Sequence, residues 1–158
     1  MFRKMRRIRQ QVSPEVCREL LKTAGRGVLS VIGDDGYPYG IPLNFYYEEA
    51  ENTVYFHCAK QGHKIDAIRS CDKACFTVWA NDGKDEGDWA WYVTSVIAMG
   101  TAELVDDVAI ATDKVRKLGL KYSPLPDEVE EEIASSIHHV QLVAFHIQHM
   151  TGKRVHEK

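Results

Sequence analysis

The sequence predicts a mainly β, α+β protein: a six-stranded, largely antiparallel split β-barrel with flanking helices. Three observations point there. Short apolar or alternating runs fill much of residues 28–105 and return at 140–150, with turn residues between many of them. Helix-start signals lie toward the ends of the chain and in the crossovers. Six strands leave long free edges unless the sheet curls, and a small closed or split barrel is the economical way to curl it. No repeat, low-complexity tract or linker divides the 158 residues, so they read as one domain (1–158) with a basic arm over 1–12.

The first element begins at Ser13-Pro14-Glu15, with Ser as N-cap and Pro at the first helical position. Val16, Leu20, Leu21 and Ala24 form its apolar face, and Gly25 and Gly27 end it. Residues 28–32 are almost wholly apolar and read as a strand buried on both faces. Gly33-Asp34-Asp35-Gly36 carries the Asp-Gly signal of a tight hairpin.

The returning strand spans residues 37–47. Its odd positions, Tyr39, Ile41, Leu43, Phe45 and Tyr47, are large and apolar. Its even positions begin Pro38, Gly40, Pro42 and Asn44. Side chains alternate between faces, so one face packs a core and the other is nearly bare. Two prolines also remove ladder donors, which suits an edge or a bulge. The bare face is either a plain hairpin edge or a flat shelf for a planar ring.

Residues 53–58 are the third strand and 65–70 a short helix. Residues 74–80 are the fourth strand, and 81–88 a polar loop. A long strand over 91–105 bends near Gly100. Asp106-Asp107 starts a helix closed by Gly119, Pro126 starts another with an acidic, solvated face, and 140–150 is the last strand.

Composition narrows the function classes. Apolar residues are 44% and charged residues 27%, as in an ordinary globular protein. The net charge of −3 provides no basic field for nucleic acid. The most apolar stretch, 93–102, is interrupted by Thr94, Ser95, Gly100 and Thr101, so no membrane span is expected. No apolar run follows Arg3, Lys4, Arg6, Arg7 and Arg9, so the arm reads as solvated rather than as a signal peptide. Cys17, Cys58, Cys71 and Cys75 are too few for a disulfide scaffold and read as thiols of a cytoplasmic protein.

Lys60, His63 and Lys64 crowd the start of the short helix, where cations are disfavoured by the helix dipole. Either they form a solvated charge cluster, or they and the N–H groups after Gly62 cradle a phosphate. The sequence has neither GxGxxG nor GxxxxGKS, which removes the Rossmann site and the P-loop. A phosphate cradle, a flat shelf and Asn44 beside it together suit flavin mononucleotide (FMN). His146 and His149 are three apart on a strand and point to opposite faces. Cys71 and Cys75 lack a second pair, so no metal site is expected.

Three segments carry a family resemblance: Gly36-Tyr37-Pro38-Tyr39-Gly40-Ile41-Pro42-Leu43-Asn44, Tyr55-Phe56-His57-Cys58-Ala59-Lys60-Gln61-Gly62-His63-Lys64, and Ser95-Val96-Ile97 with Met150-Thr151-Gly152-Lys153. Together with the start Met1-Phe2-Arg3-Lys4-Met5-Arg6-Arg7, the chain resembles the nitroimidazole-resistance (Nim) branch of the pyridoxamine 5'-phosphate oxidase-like FMN-binding flavoproteins. The resemblance implies a homodimer with flavin at the subunit interface. It implies that Ile41, Pro42, Leu43 and Asn44 run beside the ring and ribityl chain, partly through backbone groups. His57 and Cys58 then stand where the wider family has a Tyr-Thr pair. His63 and Lys64 replace an Arg-Lys phosphate clamp, and Ser95 adds a hydroxyl to the same anion. A neutral imidazole gives one donor where guanidinium gives a bidentate fork.

The expected activity is an FMN-dependent reductase. It takes electrons from a reduced nicotinamide or another donor and passes them to a small aromatic or nitro-bearing acceptor, with His57 as proton donor. The alternatives are a non-catalytic flavin- or haem-binding module, with His57 or His146 as axial ligand, and a reductase using the deazaflavin F420.

Overall fold

A computed structural model describes all residues, 1–158. Seven strands form a single antiparallel sheet. In chain order they are β1 (Gly27–Ile32), β2 (Pro38–Leu43), β3 (Tyr46–Glu48), β4 (Thr53–Ala59), β5 (Lys73–Asn81), β6 (Tyr92–Val105) and β7 (Val140–His156). The helices are α1 (Pro14–Thr23), α2 (His63–Ser70), α3 (Val108–Tyr122) and α4 (Pro126–Ser136). The spatial order is β2-β1-β5-β6-β7-β4-β3. No helix is long and apolar enough to cross a membrane.

The expected single strand over 37–47 is divided, which accounts for seven strands instead of six. β2 and β3 lie at opposite edges of the sheet, yet only Asn44 and Phe45 separate them. Three residues of chain span at most about 11 Å. The two edges must therefore approach at this corner, and the sheet curls into a split barrel. Tyr122 holds the corner. The Phe45 N–H donates to its hydroxyl (3.0 Å), which donates in turn to the Gly25 carbonyl (2.8 Å). Those bonds satisfy backbone groups where strand pairing fails.

The lumen is filled from both ends of the chain. Leu29, Val54, Phe56, Phe76, Val96 and Phe145 meet there with α1 residues Cys17 and Leu21. Ser13 caps α1, accepting the Val16 N–H at 3.4 Å. Asp107 caps α3, accepting from Ala109 and Ile110. Asp35 and Gly36, with φ of 57° and 77°, form the mirror-image turn that Asp-Gly favours.

Several expectations need correction. β1 is not buried on both faces: Leu29 and Val31 enter the lumen, but Ile32 is exposed, because no layer of this chain covers the outward side. α3 does not stop at Gly119. A Cβ there would lie 2.7 Å from Val129, so the glycine serves close packing against α4 rather than termination. β7 continues past Met150 to His156 because β6 pairs with it throughout. The predicted bend near Gly100 is present: the β6–β7 register shifts there, and a Cβ would collide with the His146 carbonyl. The basic arm is not wholly free. Phe2 stacks on His149 with centroids 4.7 Å apart, and the Val12 N–H donates to the Gly152 carbonyl.

Candidate functional site

β4 alternates faces. Val54, Phe56 and Cys58 turn toward the lumen, while Tyr55 packs on the opposite side against α3. His57 shares the parity of Tyr55. After β4 the chain reaches Gly62, whose φ of 122° is glycine's region, and this residue begins α2 without a side-chain cap. The Ile65 and Asp66 N–H groups bond to the Gly62 carbonyl. The N–H groups of His63 and Lys64 precede the first intrahelical bond and point out of the helix end.

Lys64 is half-buried, 6.0 Å from the Phe56 ring centroid, and makes no ion pair. Its charge reaches two other predicted site residues. His57 keeps an exposed edge, yet the protein around its ring holds it below the usual imidazole range, first by desolvation and then through Lys64, while Glu132 pulls the other way. Burial pushes the Cys58 thiol up, with Lys64 opposing, so the group is a thiol at neutral pH. Lys64 thus acts electrostatically on both His57 and Cys58, which stand on opposite faces of β4.

His63 is turned elsewhere. Its ring stacks on Tyr39 (4.2 Å), and Nε2 accepts the Asp34 N–H at 3.3 Å. The Asp34 carboxylate stands 3.6 Å from the same nitrogen.

β2 runs along the open seam as an edge strand. Pro38, Gly40 and Pro42 are exposed, and Ile41 and Leu43 turn inward. A Cβ on Gly40 would meet only Val28 at 3.4 Å and Ser30 at 3.7 Å, ordinary contacts. Asn44 lies in the two-residue break between β2 and β3. The Asn44 side-chain oxygen is buried and has no hydrogen-bond partner. From Tyr39, beside His63, to Asn44 is about 17 Å of strand.

Ser95 lies on β6, a strand that α2 also contacts. It pairs with Trp79 and Lys153 near the start of β6.

His57 also lines a cavity of about 410 Å³ beneath α3 and α4, with Tyr122, Glu128, Val129, Glu132 and Ile133 among its walls. The acidic stretch of α4 is exposed, as its sequence suggests, and it also sets two carboxylates, Glu128 and Glu132, at the edge of this cavity. Only their i, i+4 spacing could have shown this. A second cavity of about 700 Å³ opens on the outward face between Ile32, Pro38, Cys75 and Met99. His146 does not approach either group; its nitrogens lie 3.2 Å from Thr53 and 2.8 Å from Glu103.

A curled antiparallel sheet with a bare edge strand beside an uncapped, cation-bearing helix start is a split barrel. Residues 13–154 match the family model described as pyridoxamine 5'-phosphate oxidase, and the chain belongs to that family. A comparison with curated proteins found no match. Among solved structures, a conserved hypothetical protein from Mycobacterium tuberculosis superposes with a TM-score of 0.79 at 17% identity, covering 96% of this chain and 90% of that one. The flavocytochrome Anf3 from Azotobacter vinelandii gives 0.77 at 22% identity, covering 95% and 71%. A protein provisionally assigned to 5-nitroimidazole antibiotic resistance, from Bacteroides thetaiotaomicron, gives 0.76 at 18%, covering 91% and 86%.

Proposed function

We propose that the protein is an FMN-dependent oxidoreductase that reduces a small aromatic or nitro-bearing acceptor, and that it works as a homodimer. The observation that carries this reading is Lys64: a half-buried cation with no anion of its own, at an uncapped helix start beside His57. An unpaired cation beside free N–H groups at a helix start is a ready site for an anion. Neighbours named for a flavocytochrome and for nitroimidazole resistance lend support.

The residues fit a flavin phosphate and ring. Lys64 and the N–H groups of His63 and Lys64 would hold the phosphate, with His63 Nδ1 as a further donor. The Pro38-Gly40-Pro42 face leaves room for a flat ring. The unpartnered Asn44 oxygen would accept a hydrogen bond from it. A bound flavin supplies reversible two-electron transfer. His57, mostly neutral at pH 7, lines the cavity beneath α3 and α4; its ring N–H would hydrogen-bond an acceptor there, and proton transfer would come from its minor imidazolium form. A reduced nicotinamide is the simplest electron donor for such a site.

The test compares two ligands. Lys64→Ala should weaken FMN by roughly one to two decades, as for loss of a charge-assisted contact of about 1.5–3 kcal/mol. Riboflavin, which lacks the phosphate, should lose far less. Equal losses by calorimetry would assign Lys64 to folding or to the ring.

A further inference from the structure

We infer that the cavity beneath α3 and α4 is the acceptor pocket and that it selects neutral or cationic aromatic molecules over anionic ones. The inference rests on the reading of His57 as proton donor. A donor must reach its acceptor within hydrogen-bond distance, so the acceptor has to enter the space that His57 lines. That space is about 410 Å³, within the range of small-molecule sites.

The walls choose the class of molecule. Leu118, Val129 and Ile133 give an apolar lining that suits an aromatic ring. Glu128 and Glu132 supply the charge, and no lysine or arginine lines the cavity. The contrast with their neighbour is informative. Glu130, on the same helix, pairs with Arg116. Glu128 and Glu132 have no cation within pairing distance, although they stand i, i+4, where like charges repel. Glu132 also pulls the His57 pKa upward, so its carboxylate acts on the same space. A ligand with a cationic or N–H-bearing edge relieves that repulsion. A phosphate- or carboxylate-bearing ligand adds a third negative charge. The pocket therefore disfavours the phosphorylated amine for which the family is named.

The experiment is calorimetric titration of the protein, flavin-loaded and flavin-free, with 4-nitrobenzylamine and 4-nitrobenzoate. The amine should bind about tenfold more tightly or better, as for one charge-assisted contact. Glu132→Gln, nearly isosteric at an exposed position, should narrow that preference to about threefold or less with thermal stability unchanged. Ser136→Trp, which fills the mouth, should weaken both ligands, and the amine should shift the NMR signals of the His57 ring. Equal affinity for amine and acid, or a preference that neither variant alters, would overturn the inference. Selective amine binding by a protein that takes up no flavin would support the pocket and refute the flavin reading. Flavin-dependent turnover whose KM ignores both variants would do the reverse.

Discussion

Three influences meet at His57, and Lys64 is the larger of its two charged ones. Desolvation and the Lys64 charge both disfavour imidazolium, while Glu132 favours it. The sign follows for each variant. Lys64→Ala removes a like charge, so the His57 pKa should rise toward the ordinary 6.5. Glu132→Gln removes an opposite charge, so it should fall further. An NMR titration of the His57 ring in the flavin-free protein checks both, and shifts in the same direction would contradict the arrangement. Lys64 was legible in the sequence because cations at a helix start are anomalous. Asn44 was legible because the even positions before it are bare. Tyr122 was not: its hydroxyl meets Phe45 and Gly25 only through tertiary docking, with Tyr122 lying 77 positions beyond Phe45 in the chain.

At the scale of elements, β2 carries the shelf. Gly40 has ordinary backbone geometry, and a side chain there meets nothing closer than 3.4 Å. Valine is favoured in strands, so Gly40→Val should fold with little change in thermal midpoint. Its branched side chain stands on the exposed face and should exclude the ring. The expected outcome is a stable protein with little bound flavin, read from thermal denaturation beside flavin content. A stable variant with normal flavin content would place the ring elsewhere. The alternation that revealed this face also concealed the break at Asn44 and Phe45. The odd-even pattern runs through both residues unbroken, so nothing local marks where β2 ends and β3 begins. α3 misled for a related reason. Glycine inside a helix costs roughly 1 kcal/mol, a local penalty that contact with Val129 outweighs.

At the scale of the molecule, the outward face of the barrel is the main unburied apolar surface. Trp79, Ile97, Met99 and Ile32 lie on one side of adjoining strands, with 52%, 40%, 43% and 45% of their surfaces exposed. Patches of this kind mark interaction sites. A second copy of the chain is the proposed occupant, and light scattering should give the mass of a dimer. A monomer that retains its flavin would remove the shared-interface site from the proposal. Antiparallel pairing and barrel curvature were legible from short strands, turn residues and the need to hide edges. The placement of β2 and β3 at opposite edges was not, because it depends on β4 and β7 arriving between them.

The most direct measurement is the visible absorption spectrum of the purified protein, followed by titration with FMN. The account predicts flavin bands that bleach on reduction and return on reoxidation, saturating near one flavin per protomer. A colourless protein that takes up no FMN, or one showing a haem spectrum instead, would contradict it.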